Sequence, residues 1–238
     1  MSRPAAATAL QRLGRALTLG APSYDPGQER RIRRMLRDLG SGARVLDLGS
    51  GGRNWGPTVI GMDVSPHPQV KVLGDGHRLP FRDDQLDAVL CTGVLEHVED
   101  AERVTAEIWR VLRPGGLVYV AVPFLQGYHA ASGTEQDFRR LTHVGLRRVL
   151  SRFTERETGV SGGPSSALAW VLREYLALLV GGPGRLYSLA YLLSGWLTVW
   201  IKYFDSVTAS RPLAYRVACG FYFIGSKAGA GRSSVGWA

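Results

Sequence analysis

The sequence predicts an α/β fold built on an open, doubly wound, mainly parallel sheet, and three observations predict it. Apolar runs of four to seven residues, rich in Val and Leu, recur through the first half of the chain and each ends at Gly, Pro or Asp. Strands buried on both faces read this way. Helical patterning lies between runs, and strand alternating with helix requires a parallel sheet covered on both sides. The first run also feeds a glycine-rich turn, Gly49-Ser50-Gly51-Gly52, where a ligand can approach the backbone without meeting Cβ atoms.

In chain order, residues 1–26 are rich in Ala, Arg and Leu and are broken by Pro4, Pro22 and Pro26. They lack the continuous apolar core of a secretory signal and read as a frayed leader or docking helix, in preference to a transit peptide. Gln28 to Leu39 reads as a helix, with Ile32, Met35, Leu36 and Leu39 on one stripe and glycines at 40 and 42 to stop it. Residues 1–42 therefore form a leader and helix before the core at 43–163. The strand runs are Arg44–Leu48, Thr58–Met62, Val70–Leu73, Leu86–Thr92 and Leu117–Val122. Asp100 to Leu112 is a helix ended by Arg113-Pro114-Gly115-Gly116. His143–Phe153 reads as another helix and Arg156–Val160 as a strand. Two strongly apolar segments, Ser166–Val180 and Leu186–Phe204, then form an insertion at 164–205 with Gly181-Gly182-Pro183-Gly184 between them. Residues 206–238 hold a final strand, Val217–Ser226, and a tail.

The 238 residues carry a formal net charge of +9. That charge is almost all arginine, spread along the chain with one cluster at Arg30, Arg31, Arg33, Arg34 and Arg37, so a solvated basic surface or weak attraction to anionic lipid is favoured over nucleic acid. Cys91 and Cys219 form no disulfide framework and no metal spacing. A reducing, cytoplasmic location is the expectation.

Five segments carry the chemistry: Val45 to Gly52; Ile60-Gly61-Met62-Asp63; Gly74 to Phe81; Leu86-Asp87-Ala88-Val89-Leu90 leading to Val94-Leu95-Glu96-His97-Val98; and Leu112-Arg113-Pro114-Gly115-Gly116. An acidic residue closing the second strand, such as Asp63, can accept two hydrogen bonds from a ribose diol. In this order and spacing the segments strongly resemble the class I S-adenosylmethionine-dependent methyltransferases, specifically the compact methyltransferase type 11 domain, over about residues 43–125. The resemblance implies a Rossmann-like, seven-stranded sheet of order 3-2-1-4-5-7-6, with S-adenosyl-L-methionine as cofactor and S-adenosyl-L-homocysteine as product. It also implies roles. Asp47, Gly49, Ser50 and Gly51 would line the methionine part, and Asp63 would hold the ribose hydroxyls. Asp75 would accept from the adenine amino group, with Gly76 giving backbone contact. Thr92 and Gly93 would border the sulfonium, and Leu95 would pack near the adenine or the methionine chain. His97 falls where the family often has a structural histidine.

Two departures stand out. The family's turn often reads D-x-G-x-G-x-G, and its third glycine is Arg53 here. Only six residues separate Gly52 from Val59, too few for a crossover helix, and Val64–Gln69 is similarly short.

Methyl transfer from a sulfonium is an in-line displacement that needs alignment and exclusion of water, and it requires no metal. A base is needed only for an acceptor protonated at neutral pH. Beyond the fifth strand, Asp137-Phe138-Arg139-Arg140-Leu141-Thr142 resembles the H-x-x-x-x-D-F/Y-x-R-F/Y-T segment of related bacterial methyltransferases. There His129 is the first candidate base, with Tyr128 and His143 also within the stretch, while Asp137 and Arg140 can pair to fix the loop. The insertion reads as a helical cap, an interfacial membrane-docking element or a dimer surface. It bears Trp170, Tyr175, Tyr187, Tyr191, Trp196, Trp200 and Tyr203. The expected acceptor is a small molecule, sugar or lipid-linked compound methylated at oxygen, with peripheral contact at the inner membrane face if 164–205 docks there. A non-catalytic S-adenosylmethionine-binding protein, an RNA methyltransferase and a nicotinamide oxidoreductase are the rivals. The last would not explain Asp75 or Val94–Val98.

Overall fold

The computed structural model describes residues 25–129, 136–182 and 184–229; the leader up to residue 24 lies outside them. Seven strands form one sheet in the order β3-β2-β1-β4-β5-β7-β6. They are β1 (Val45–Leu48), β2 (Val59–Asp63), β3 (Val70–Leu73), β4 (Leu86–Thr92), β5 (Leu112–Pro123), β6 (Phe153–Gly162) and β7 (Gly220–Lys227). The first five pair in parallel, and β7 runs antiparallel to both β5 and β6. This is the architecture and strand order that the sequence predicts.

Period-two alternation sorts the strand residues onto two cores. Val45, Ala88, Leu90 and Tyr119 face helix α1 (Pro26–Leu39) through Ile32 and Met35. Leu46, Val89, Val118 and Phe221 face helices α2 (Ala101–Val111) and α3 (His143–Val149) through Val104, Ile108 and Leu146. Each of these three helices has a side-chain cap. Asp25 accepts from the backbone N–H of Gly27 and Gln28, Asp100 from Arg103, and Thr142 from Gly145.

Within the sheet only β4 and β5 are joined by a regular crossover helix. No helix intervenes between β1 and β2, β2 and β3, or β3 and β4, so the early crossovers are cut back as the spacing requires. Four boundaries differ clearly from the sequence pattern, one of them the final strand, which starts at Gly220 because Ala214–Val217 forms a 3-10 turn. β5 starts at Leu112, which pairs with Leu86; Arg113–Gly116 then bulge out of the ladder, with Gly115 at φ +79, and pairing resumes at Leu117 opposite Ala88. The helix predicted to reach Phe153 ends at Val149, because Phe153 opens β6 opposite Lys227. β6 itself runs beyond Arg156–Val160 at both ends, since it pairs along the whole length of β7.

The insertion folds as α4 (Pro164–Leu178) and α5 (Arg185–Thr198), followed by a 3-10 turn (Val199–Phe204), α6 (Asp205–Thr208) and a second 3-10 turn (Ala214–Val217). One buried carboxylate closes it. Asp205 accepts from the N–H groups of Gly163, Ser165 and Ser166 at 3.0, 2.8 and 3.0 Å, and from the Thr208 hydroxyl at 2.8 Å. It thereby caps the first turn of α4 from forty residues away in the chain, where orphan donors and the helix dipole both favour a negative charge. Asp205→Ala should lower unfolding stability by roughly 3 kcal/mol, because three buried donors lose a charged acceptor. Urea denaturation checks this, and a loss below about 1 kcal/mol would show that water replaces the carboxylate.

Candidate active site

The strand order reverses between β1 and β4, so a crevice opens outside their carboxyl ends. The turn after β1 folds tightly against the segment after β4. Gly49 has φ +66, and a Cβ there would stand 2.3 Å from Val94 Cγ2, so only glycine fits. Beside this turn lies a cavity of about 980 Å³. Its wall includes Gly49, Gly51, Asp63, Asp75, Gly76, Thr92 and Gly93.

The two acidic residues of that wall are held from different sides. Asp63 Oδ2 accepts from Gly51 N at 2.8 Å and Oδ1 from Ser65 N at 3.0 Å, which ties the end of β2 to the glycine turn and leaves further lone pairs for a ligand. Asp75 Oδ1 accepts from the backbone N and ring Nδ1 of His77 at 2.9 and 2.6 Å. Burial works against the charged form of Asp75, but the two His77 bonds and nearby Arg103 outweigh it and hold this carboxyl below its usual range.

Arg53 occupies the place of the third glycine. Its guanidinium donates to Asp47 Oδ1 at 3.2 Å, to Gly49 O at 2.6 Å and to Thr92 O at 3.2 Å. Asp47 also accepts from Trp55 Nε1 at 3.1 Å. Burial pushes the Asp47 carboxyl up, and Arg53 and Trp55 oppose the shift. Asp47 is thus set behind Arg53, off the cavity wall.

The loop after β5 supplies the far side. Asp137, with a side chain 1% exposed, is gripped by both ends of the Arg140 guanidinium and accepts from His129 N at 3.0 Å. The Arg140 bond holds its carboxyl down at about 2. Phe138 N donates to Glu96 O at 2.7 Å, so the loop is laid across residues 95–99 and His129 meets Glu96. The His97 and His129 rings stand edge to face, 5.1 Å apart. Glu96 is 2% exposed, and burial pushes its carboxyl up to about 7 against the pull of His97 and Arg140. A second cavity, about 340 Å³, shares Arg53, Thr92, Gly93, Glu96 and His129 with the first and extends to Val122, Gln126 and Ser161.

Of the residues singled out from sequence, Gly49, Gly51, Asp63, Asp75, Gly76, Thr92, Gly93 and His129 come together on these walls. Ser50 and Leu95 are buried beneath them. Tyr128 is 69% exposed and borders neither cavity. The His143 ring packs 4.9 Å from that of Tyr215 and 5.7 Å from that of Phe221, away from both cavities. Arg53 and Glu96 also line both cavities, and the sequence pattern assigns neither of them a role. The broken glycine pattern was the available signal for the first, and a charged residue inside the apolar run Val94–Val98 for the second.

Residues 38–120 match the methyltransferase domain family. The chain is 34% identical over 198 residues to a demethylmenaquinone methyltransferase of Renibacterium salmoninarum, covering 69% of this chain and 79% of that protein. Several other demethylmenaquinone methyltransferases match over about half of their own length. The fold is shared with Haemonchus contortus phosphoethanolamine N-methyltransferase 2, solved with S-adenosyl-L-methionine (TM-score 0.54, 16% identity, 93% of this chain and 57% of that one). It is also shared with Burkholderia thailandensis 1,6-didemethyltoxoflavin-N1-methyltransferase, solved with bound 1,6-didemethyltoxoflavin and S-adenosylhomocysteine (TM-score 0.51, 19% identity, 91% and 83%). With its strand order, glycine turn and paired strand-end carboxylates, this chain belongs to the class I S-adenosylmethionine-dependent methyltransferases.

Proposed function

We propose that the enzyme moves the S-adenosylmethionine methyl group onto an oxygen of a small apolar or lipid-linked acceptor. The observation that carries this reading is a pair of proton acceptors, Glu96 and His129, on the wall shared by the two cavities beside Thr92 and Gly93. In the larger cavity Asp63 would take the ribose hydroxyls, and Asp75 the adenine amino group beside the Gly76 backbone. Gly49, Gly51 and the Asp47–Arg53 pair would meet the zwitterionic methionine end. The acceptor would occupy the smaller cavity. Its oxygen attacks the methyl carbon as the carbon–sulfur bond breaks, S-adenosylhomocysteine leaves with neutral sulfur, and the hydroxyl proton passes to His129 or Glu96. Relatives and fold neighbours whose names carry small-molecule acceptors support an acceptor of that size.

The insertion favours an apolar acceptor met at a lipid surface. Its helices are built inside out. Small and polar residues are buried, namely Ser166, Ala167, Ala169, Arg173 and Ala177 on α4 with Ser194, Gly195 and Thr198 on α5. Large apolar residues face outward. Leu168, Val171, Tyr175 and Leu178 make one stripe, and Leu186, Leu189, Leu193, Trp196 and Trp200 the other, each more than half exposed. Among the described residues no helix is long and apolar enough to cross a membrane, so contact would be interfacial. Exposed Arg185, Arg211 and Arg216 lie in the same segment and suit anionic headgroups.

Asp63→Ala should weaken S-adenosylmethionine binding by at least about 10-fold in isothermal titration; an unchanged affinity removes Asp63 from the ribose site. His129→Ala should cut kcat by about 100-fold or more while leaving cofactor affinity intact. Because burial raises Glu96 to about 7, its carboxylate form, the proton acceptor, accumulates only above that pH. The kcat profile should therefore rise through pH 7, and a flat profile would exclude Glu96. The full chain should float with anionic vesicles, and Trp196→Ala with Trp200→Ala should abolish flotation; failure of the unsubstituted protein to float would sink the membrane reading.

A further inference from the structure

Glu96 and His97 are neighbours in sequence and His129 comes from the loop after β5, yet each of the three presents one donor atom, and the three atoms lie within 4.8 Å of one another. Their orientation is fixed from behind. His97 Nδ1 is 2.6 Å from Gln136 O, and His129 Nδ1 is 3.1 Å from Gly127 O. A carbonyl oxygen only accepts, so both Nδ1 atoms carry hydrogen and both Nε2 atoms turn a lone pair forward. Asp137 Oδ2, 3.8 Å from His129 Nδ1, favours the same tautomer. Arg140 Nη2, 3.5 Å from that nitrogen, is already committed to Gly127 O and Asp137.

The two lone pairs converge on a carboxylate. Glu96 Oε1 is 3.8 Å from His97 Nε2 and 4.0 Å from His129 Nε2, and Glu96 Oε2 is buried with no hydrogen-bond partner among the described residues. With Glu96 ionised, three acceptors face one another with no donor between them and repel, and a buried unpaired carboxylate oxygen is costly. A positive charge at their centre removes both costs.

We propose that Glu96, His97 and His129 form a binding site for a divalent first-row transition cation, with zinc the best match to the donors. Two imidazoles and one carboxylate are a borderline-soft set, unlike the all-oxygen shells of magnesium and calcium. Three protein ligands leave a fourth position open, as in catalytic zinc sites. Carbonyl groups behind both rings supply the outer support that such ligands need. Donor atoms around a tetrahedral zinc stand about 3.3 Å apart at zinc's bond lengths, so closure takes side-chain shifts of about 1.5 Å at most.

The open position faces the wall shared by both cavities. Resting on the proposed function for this step alone, the fourth ligand is the acceptor's oxygen. The coordinated hydroxyl gives its proton to bulk water, its oxygen bonds to the methyl carbon as the carbon–sulfur bond breaks, and S-adenosylhomocysteine leaves neutral at sulfur. His129 is then a ligand, and the proton no longer passes through it.

The test is direct binding by the full chain, stripped with chelator and titrated with Co²⁺ and then Zn²⁺. One equivalent of Co²⁺ should bind with visible absorption bands of a low-coordinate nitrogen–oxygen site, and Zn²⁺ should displace it. His129→Ala and Glu96→Gln should each weaken binding at least 100-fold. S-adenosylmethionine affinity, measured on the same samples, should be unchanged in His129→Ala, which shows that the fold is kept. No Co²⁺ bands, or equal affinity in His129→Ala and the unsubstituted chain, overturns the site. Binding that depends on these residues but leaves O-methyl transfer absent with or without zinc keeps the site and rejects the oxygen acceptor. Full transfer by the stripped enzyme, unaffected by zinc, does the reverse for the cation's part in the reaction.

Discussion

The loop that closes one side of the candidate site depends on one buried ion pair. Phe124 and Leu141 pack the two ends of the loop after β5 on the core, and hydrogen bonds set the path of the described residues between them. Asp137 and Arg140, three residues apart, provide them. The carboxylate holds the His129 backbone, while the guanidinium holds the carbonyls of Gly127 and Gln126. Arg139 and Phe138 then fasten the same segment to the carbonyls of Leu95, Glu99 and Glu96. Of these contacts, the Asp137–Arg140 pair is the one that holds His129 itself, through its backbone N–H and the Gly127 carbonyl beside it. A charged pair does this better than apolar packing because its geometry is directional and bidentate.

The cofactor side is held by a different device. In a fuller relative of this fold a crossover helix would follow the glycine turn; here ten residues join β1 to β2 without one. Arg53 takes over part of its work. One guanidinium reaches a carbonyl beyond the end of β1, a carbonyl at the end of β4 and the buried Asp47, closing the crevice floor with donors that a helix N-terminus would otherwise present. A glycine at that position would leave Asp47 with Trp55 as its remaining side-chain partner.

The fold was legible because its signals are local. The continuous apolar runs of β4 and β5, buried on both faces, and the turn residues after each strand are readable from neighbouring positions, as are the caps at Asp100 and Thr142. The same holds for Gly49, Gly51, Asp63 and Asp75, which sit in turns or at strand ends that the pattern marks. What escaped depends on contact between distant segments. Glu96 and His129 are brought together by the Asp137 loop, and neither neighbourhood announces the other. Residue type alone does not separate Tyr128 and His143 from His129: one is largely exposed and the other packs against Phe221, and neither borders a cavity. The insertion shows a third limit. Its segments are apolar on nearly every side, so periodicity could not say which face is buried. The structure buries the small face, where Gly195 lets the Arg173 guanidinium lie across the helix and stack 3.8 Å from the Tyr191 ring.

That inverted helix pair is joined to the reaction centre through α4. On one side of α4, Leu168 and Val171 face outward. On the other, the Trp170 ring lies 6.1 Å from that of His129 and packs over Gly127, where a Cβ would be 2.8 Å from its Nε1. The outer apolar surface and the candidate catalytic loop are therefore separated by a single helix, about 10 Å thick. Asp205 fixes the start of that helix, so its position is set by three charged hydrogen bonds rather than by the soft packing of its exposed stripe. An apolar molecule held on the outer surface would need to travel only the width of α4 to reach the cavity wall, whereas a soluble acceptor would gain nothing from fifteen or so exposed apolar side chains. The rigid anchor and the unpaired apolar face make physical sense together if this helix forms the boundary between an apolar phase and the site.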